Sequence, residues 1–267
     1  MLDPTSPQTR ERNTMSRDTV SAAPRTGEIV ASAHNVMKVY GSGETEVRAL
    51  DDLHAEFRRG QFSAVMGPSG SGKSTLMHVM AGLDQATSGD VVVGGVDLST
   101  LNEKKLTLLR RDRIGFVFQA YNLVPTLSAR ENMVLPLELA GRKADKDWFD
   151  QVVTAVGLAD RLDHRPNELS GGQQQRVAVA RALVGQPDII FADEPTGNLD
   201  SRTGHEILDF LRTAVRELDQ TIVMVTHDPL GASYTDRAIF LEDGKITSEM
   251  ADPNADDIYN YMRSLGA

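Results

Sequence analysis

The sequence predicts an α/β fold around a parallel sheet, and three observations carry that expectation. DIIFAD (residues 188–193) and TIVMVT (221–226) are continuous apolar runs, the pattern of strands buried on both faces. Between them Ile207, Leu211, Ala214 and Leu218 recur at helical spacing, which makes the stretch a βαβ unit. Earlier, FSAVMG (62–67) is a short apolar strand that leads through a glycine loop into the helical run 74–80.

The remaining elements follow in chain order. Residues 1–28 are rich in Ser, Thr, Pro and Arg with few large apolar side chains, and are expected to form a disordered leader before one globular unit over 29–267. A mixed, strand-rich start precedes FSAVMG. Polar and apolar residues alternate as in helices around 101–111 and 152–157, with IGFVFQ (114–119) as a strand between them. The acidic tail beyond Ala251 reads as a solvated segment without a role.

Composition sets outer limits. A chain of 267 residues, 40% hydrophobic, buries a core sufficient for one domain, or for one domain with a lobe. Without cysteine it has neither disulfides nor thiolate metal ligands. The formal charge of −10 argues against broad binding to a nucleic-acid backbone, so no nucleic-acid partner is expected. No stretch reaches the ~18 consecutive apolar residues of a membrane span, and the N-terminus lacks the apolar core of a secretory signal.

The chemistry begins with GPSGSGKST (67–75), which fits the P-loop pattern at Gly67, Gly72, Lys73 and Ser74. Gly67, Ser69, Gly70, Ser71, Gly72 and Thr75 are candidates to wrap a polyphosphate with backbone N–H groups, at the positive end of the helix that follows. Lys73 adds a full charge. A charge pair at ~4 Å is worth ~4 kcal/mol at an effective dielectric of ~20, against roughly 0.3–1 kcal/mol from a helix terminus. Ser74 is the expected Mg²⁺ ligand, which makes ATP and Mg²⁺ the anticipated ligands.

DIIFADE then supplies two carboxylates where an apolar strand ends, at the edge where parallel sheets bind ligands. Asp193 is placed to hold Mg²⁺ through water, and Glu194 to orient or deprotonate an attacking water. His227 follows TIVMVT. A lone histidine after a strand is usually a loop residue, but its place at another strand end on the same edge makes it a candidate.

NELSGGQQQR (167–176) raises a separate question, because it spends two glycines at the start of an apolar helical pattern. Ser170 reads as an N-cap, and Gly171 and Gly172 as residues whose amides approach a second phosphate. A plain N-cap explains Ser170 but leaves two glycines, each costing ~0.5–1 kcal/mol relative to alanine in a helix.

Taken together, these motifs resemble the nucleotide-binding subunits of ABC transporters over nearly all of 29–244, with LSGGQ as the family's signature. The resemblance implies a P-loop NTPase fold of the ABC ATPase type: a RecA-like core, an antiparallel β-subdomain, and a helical signature subdomain at about 120–180. It implies a head-to-tail homodimer in which the P-loop of one subunit and Ser170, Gly171, Gly172 and Gln173 of the other enclose one ATP. By the same resemblance Tyr40 stacks on adenine, and Gln119 links Mg²⁺ and water to the membrane-facing lobe. Asp200 connects the two sites across the dimer, and His227 contacts the γ-phosphate.

VYGSGETEVRALDDL, RRDRIGFVFQAYNLVPTLSARENMVLPL and DEPTGNLDS are similar to the branch of macrolide-exporter, lipoprotein-release and cell-division (FtsE-like) ATPases. That branch implies a separate transmembrane permease with an extracytoplasmic domain, and a place on the cytoplasmic face of the membrane. The lobe around 121–133 would receive a helix of that permease. Export or extrusion is the leading reading, and regulation of a cell-wall enzyme without transport is the alternative. Soluble ABC proteins of DNA repair or translation are disfavoured, since they carry long insertions between P-loop and signature or two cassettes in one chain.

Overall fold

A computed structural model describes residues 27–265. The expected leader therefore falls, up to residue 26, outside the described residues. At the start of the described chain, Arg59 Nε donates to Glu28 Oε2 at 2.9 Å, so Glu28 is already held against the body.

Two sheets organise the molecule. The first is antiparallel, in the order β2-β1-β4-β5, from β1 (Ile29–Tyr40), β2 (Val47–Arg58), β4 (Ser88–Val93) and β5 (Val96–Asp97). The second has six strands in the order β10-β9-β3-β8-β7-β6, from β3 (Phe62–Met66), β6 (Ile114–Phe118), β7 (Ile189–Asp193), β8 (Ile222–Val225), β9 (Arg237–Glu242) and β10 (Lys245–Ala251). Its strands from β9 to β6 run parallel, and only the β9–β10 hairpin is antiparallel. Every residue of β3 and β8 is buried, which is why FSAVM and IVMV read as uninterrupted apolar runs.

Eight α-helices accompany the sheets in the described chain. They are α1 (Lys73–Met80), α2 (Glu103–Arg113), α3 (Ala129–Leu139), α4 (Lys146–Val156), α5 (Gly171–Val184), α6 (Ser201–Leu218), α7 (Pro229–Ala232) and α8 (Ala255–Leu265). Their ends are chemically marked. Asn102 caps α2, Ser128 and Glu131 form a capping box on α3, Asp145 caps α4, and Gly157 ends α4 in the left-handed region at φ 64°. The helices α3, α4 and α5 form a lobe in which Val152, Val156, Met133 and Val177 are buried together. A second core lies between the antiparallel sheet and α1 and α2, from residues such as Phe57, Leu76 and Leu109.

One sequence expectation is corrected here. The tail beyond Ala251 is not merely solvated: it folds as α8, buries Ile258 completely, and sets the Tyr261 ring 4.5 Å from that of Phe240. Ile258, Tyr261, Met262 and Leu265 recur at helical spacing and pack over Ala64, Met66, Ala232 and Ala238. The acidic residues fall on the outside of that stripe, and they masked it.

Candidate nucleotide site

The P-loop turns out of β3 against two neighbouring strands. A Cβ on Gly67 would collide with the Leu241 carbonyl oxygen of β9, and one on Gly72 with the Ala49 carbonyl oxygen of β2. Both residues also hold positive φ, at 149° and 104°. Glycine at these two positions is thus demanded by backbone contact alone. The loop closes with Ser71 N donating to Pro68 O at 3.2 Å and Gly244 N to Ser71 O at 3.0 Å.

Lys73 Nζ donates to the carbonyls of Gly67 at 2.9 Å and Pro68 at 2.8 Å, which fixes the ammonium at the loop. Burial lowers its pKa, and the charges of Glu194 and Asp193 oppose that shift. Ser71 Oγ is buried without a protein hydrogen-bond partner, an orphaned polar atom that a phosphate oxygen would satisfy. A cleft of ≈ 350 Å³ opens beside the loop, lined among others by Val47, Arg48, Lys73, Ser74, Thr75 and Asp243. Ser69, Gly70 and Ser74 are exposed there.

Four adjacent parallel strands deliver the remaining polar groups to the same edge. β3 runs into the P-loop, β8 into His227, β7 into Asp193 and Glu194, and β6 into Gln119. Burial raises the pKa of Asp193, and the neighbouring Glu194 charge pushes it the same way. Glu194 itself sits at φ 45°, an uncommon backbone for a non-glycine residue, and its N–H donates to Val225 O at 2.9 Å. Its Oε1 lies 2.7 Å from Nδ1 of His227, whose side chain is otherwise 75% exposed. Carboxylate and imidazole together can orient a water molecule and move a proton.

Gln119 is braced by a residue that the sequence did not single out. Its Nε2 donates to Asn198 Oδ1 at 3.2 Å, and Asn198 Nδ2 donates to Gln119 O at 2.9 Å. Gly197 leaves room for this pair, because a Cβ there would lie 2.7 Å from Gln119 Nε2. The next residues, Tyr121 and Asn122, hold φ of 53° and 50°. Their carbonyls accept from the half-buried guanidinium of Arg181 at 2.8 and 2.6 Å. No local pattern could have marked Arg181, which looks like any basic residue in the last turn of a helix.

Ser170, Gly171, Gly172 and Gln173 lie apart from the P-loop, at the start of α5. Ser170 Oγ accepts from Gln173 N at 3.3 Å, and Gln173 Oε1 accepts from Ser170 N at 2.9 Å, a capping box. Gly172 is buried, and a Cβ on it would run into the methyl group of Thr203; one on Gly171 would lie 3.1 Å from the Tyr121 hydroxyl. Phosphate approach is therefore not what both glycines have in common. Close packing of α5 on α6 already requires Gly172, whereas Gly171 has only a tight neighbour. Asp200 caps α6, accepting from Thr203 N at 3.1 Å and from Thr203 Oγ1 at 2.7 Å, and these bonds lower its pKa. Tyr40 ends β1 with its ring 40% exposed.

The set Ser74, Gln119 and Asp193 offers one hydroxyl, one amide and one carboxylate. Among the described residues, no group of three or more His, Cys, Asp or Glu could hold a metal ion. So sparse a protein set suits Mg²⁺, which keeps waters and phosphate oxygens among its ligands.

Comparisons with known proteins identify the family. Residues 50–197 match the family model described as ABC transporter. The bacitracin export ATP-binding protein BceA of Halalkalibacterium halodurans is 43% identical over 223 residues, spanning 83% of this chain and 88% of that protein. The ABC transporter ATP-binding protein YbbA of Escherichia coli is 44% identical over 224 residues, with 83% and 98% covered. The structure of the ATP-binding cassette MJ0796 in a dimeric post-hydrolysis state, bound to ADP and Pi, superposes with a TM-score of 0.73 at 41% identity, covering 84% of this chain and 99% of that one. The ABC transporter ATP-binding protein MJ0796 of Methanocaldococcus jannaschii is itself 43% identical, with 80% of this chain and 94% of that protein covered.

Proposed function

The chain belongs to the family of ABC transporter ATP-binding subunits, an ATPase with the ABC cassette fold, and on that premise we propose how its residues do the work. Two copies close head to tail on ATP and Mg²⁺ and drive export through a separate transmembrane permease. The dimeric state of the MJ0796 cassette supports the assembly, and the similarity to the bacitracin export protein BceA supports the direction.

In this reading the P-loop amides and Lys73 bind the β- and γ-phosphates, and Tyr40 offers a ring face to adenine. Ser74, with Gln119 and Asp193 through water, would hold Mg²⁺, which supplies charge neutralisation on the phosphates. Glu194 accepts a proton from the attacking water, and His227 holds the Glu194 carboxylate in position and reaches toward the γ-phosphate. Ser170, Gly171, Gly172 and Gln173 present the start of α5 to the partner's nucleotide, and Asp200 joins the two sites. The observation that carries the proposal is the Glu194–His227 contact at 2.7 Å, at the ends of two strands beside the P-loop strand.

The permease reading draws support from a groove of ≈ 410 Å³ lined by residues on both sides of Gln119 in the chain, Phe118 and Asn122 among them. Leu83, Phe116, Phe118 and Pro136 give it an apolar floor, Arg110 and Asp112 a charged wall, and Arg181 a link to the carbonyls of Tyr121 and Asn122. Such a groove fits an amphipathic helix. Among the described residues no helix is long and apolar enough to cross a membrane, so a membrane position, on the cytoplasmic face, would come through the permease. Within the family the resemblance points to the macrolide-exporter and lipoprotein-release branch, whose permease carries an extracytoplasmic domain.

Glu194→Gln tests the proposal. ATP binding should persist while hydrolysis falls by ~10²–10⁴, and the variant, loaded with ATP, should retain the permease when purified from solubilised membranes. Unchanged hydrolysis would remove Glu194 from its role. A co-purifying cell-wall hydrolase would replace export by regulation.

A further inference from the structure

Lys38, Tyr40 and Asp84 form a closed cluster, of which only Tyr40 belongs to a stretch already named. The Asp84 carboxylate uses both oxygens: Oδ1 accepts from Lys38 Nζ at 2.6 Å and from Gln85 N at 2.8 Å, and Oδ2 accepts from the Tyr40 hydroxyl at 2.7 Å. Lys38 Nζ also donates to Gln85 O at 2.8 Å, and it stands 4.7 Å from the centre of the Tyr40 ring. The Lys38 side chain is only 12% exposed, an unusual degree of burial for an ammonium, and it has a carboxylate, a carbonyl and a ring face as partners.

The cluster joins two parts of the chain. Lys38 and Tyr40 close β1, while Asp84 and Gln85 follow α1, the helix whose first turn carries Lys73 and Ser74. Two more bonds reinforce the seam, Thr87 N to Met37 O at 2.8 Å and Val39 N to Thr87 Oγ1 at 2.9 Å. The ring is thereby referred to the same rigid body as the phosphate loop. Its hydroxyl is fixed, one of its faces is covered by a cation, and a base can stack only on the other. A ring held in one orientation does not lose further freedom when the base arrives.

We propose that Lys38 and Asp84 are positioning residues for nucleotide binding, which hold the Tyr40 ring so that only one face, at a set distance from the P-loop, receives the base. This rests on the assignment of Tyr40 as the ring that stacks on adenine. Lys38 and Asp84 touch neither phosphate nor base. Their effect should therefore appear in the affinity for a ligand that has a base, and be missing for one that has none.

The experiment measures binding of ATP and of inorganic tripolyphosphate to the full chain and to K38M, D84N, Y40F and Y40A. K38M and D84N should each weaken ATP about three- to tenfold, the effect expected from freeing one side chain, with tripolyphosphate unchanged and kcat retained at saturating ATP. Y40F, which keeps the ring and deletes the hydroxyl's bond to Asp84, should fall in the same range. In the Y40A background K38M should add nothing. Equal weakening of both ligands in K38M would make the cluster merely structural, and additivity of K38M with Y40A would separate Lys38 from the ring. Either result, or wild-type ATP affinity in K38M and Y40F, overturns the proposal. If Y40A itself binds ATP normally, the stacking role of Tyr40 is what fails, and the positioning role with it.

Discussion

The side chains of Glu194 and His227 meet at 2.7 Å although 33 residues separate them, because β7 and β8 are neighbours in the parallel sheet and both end at the same level. A carboxylate held by an imidazole keeps one direction for its second oxygen. His227→Ala should consequently lower hydrolysis by about 10²-fold or more while leaving ATP affinity within about a factor of two. Phosphate release under steady state, compared with equilibrium binding of ATP, checks this, and a parallel loss of binding would mean that His227 shapes the pocket and not the reaction.

Thr203 and Gly172 supply a prediction about stability. A methyl group added at 172 meets Thr203 Cγ2 directly, and Thr203 cannot swing that methyl aside without giving up the bond from its Oγ1 to Asp200 Oδ2. Gly172→Ala should cost about 1–3 kcal/mol, the usual penalty of overpacking. Thr203→Ser keeps the hydroxyl bonded to Asp200 and deletes the offending methyl, so the double variant should recover most of the loss in urea unfolding. Failure of that rescue would place the glycine's value at the α5 terminus instead.

Asp193 makes the protein less stable than it could be. Burial and the Glu194 charge hold its folded pKa above the ordinary 3.8, with His78 and Lys73 pulling the other way. A carboxyl with a raised folded pKa contributes stability that is present below the unfolded value and lost as pH rises through the folded one. Asp193→Asn should then raise Tm by a few degrees at neutral pH, with the gain shrinking as pH falls toward 3.8, and should reduce Mg²⁺-dependent hydrolysis. Thermal unfolding across a pH series reads both sign and window; a gain that did not depend on pH would exclude the ionisation as its source.

Asn132 is fully buried and saturated. Its Oδ1 accepts from Val124 N at 2.8 Å, and its Nδ2 faces the carbonyls of Val124, Leu127 and Ser128 at 3.0–3.1 Å. Asn132→Ala would leave several of these groups buried and unpaired, so a loss of about 3 kcal/mol is expected. Faster amide exchange at Val124 would localise the damage. Asn132→Asp should fare no better, since a carboxylate would face three carbonyl oxygens.

The P-loop, the two acids and the buried strands were legible because each is written in consecutive residues, where spacing alone states the chemistry. Asn198 behind Gln119, Arg181 behind Tyr121 and Asn122, and Thr203 against Gly172 were not, since each pairs residues far apart in the chain and none departs from ordinary composition. The tail was a different kind of failure. Its apolar stripe at Ile258, Tyr261, Met262 and Leu265 is written in the sequence, but the aspartates interleaved with it hide the period.

The strand that carries the P-loop lies between β8 and β9, so Phe62 pairs with Ile222 and Ser63 with both Val223 and Arg237. About 160 residues must leave the ribosome before β3 gains its first sheet neighbour. At roughly 5–20 residues per second this takes on the order of 10–30 seconds. Throughout that interval a strand that is wholly buried in the finished fold has two unpaired edges. The order of the sheet thus sets a demand on biosynthesis. The nucleotide site is among the last features a nascent chain can complete, and a chaperone that shields the first quarter of the polypeptide should raise the yield of active protein more than one acting on the finished chain.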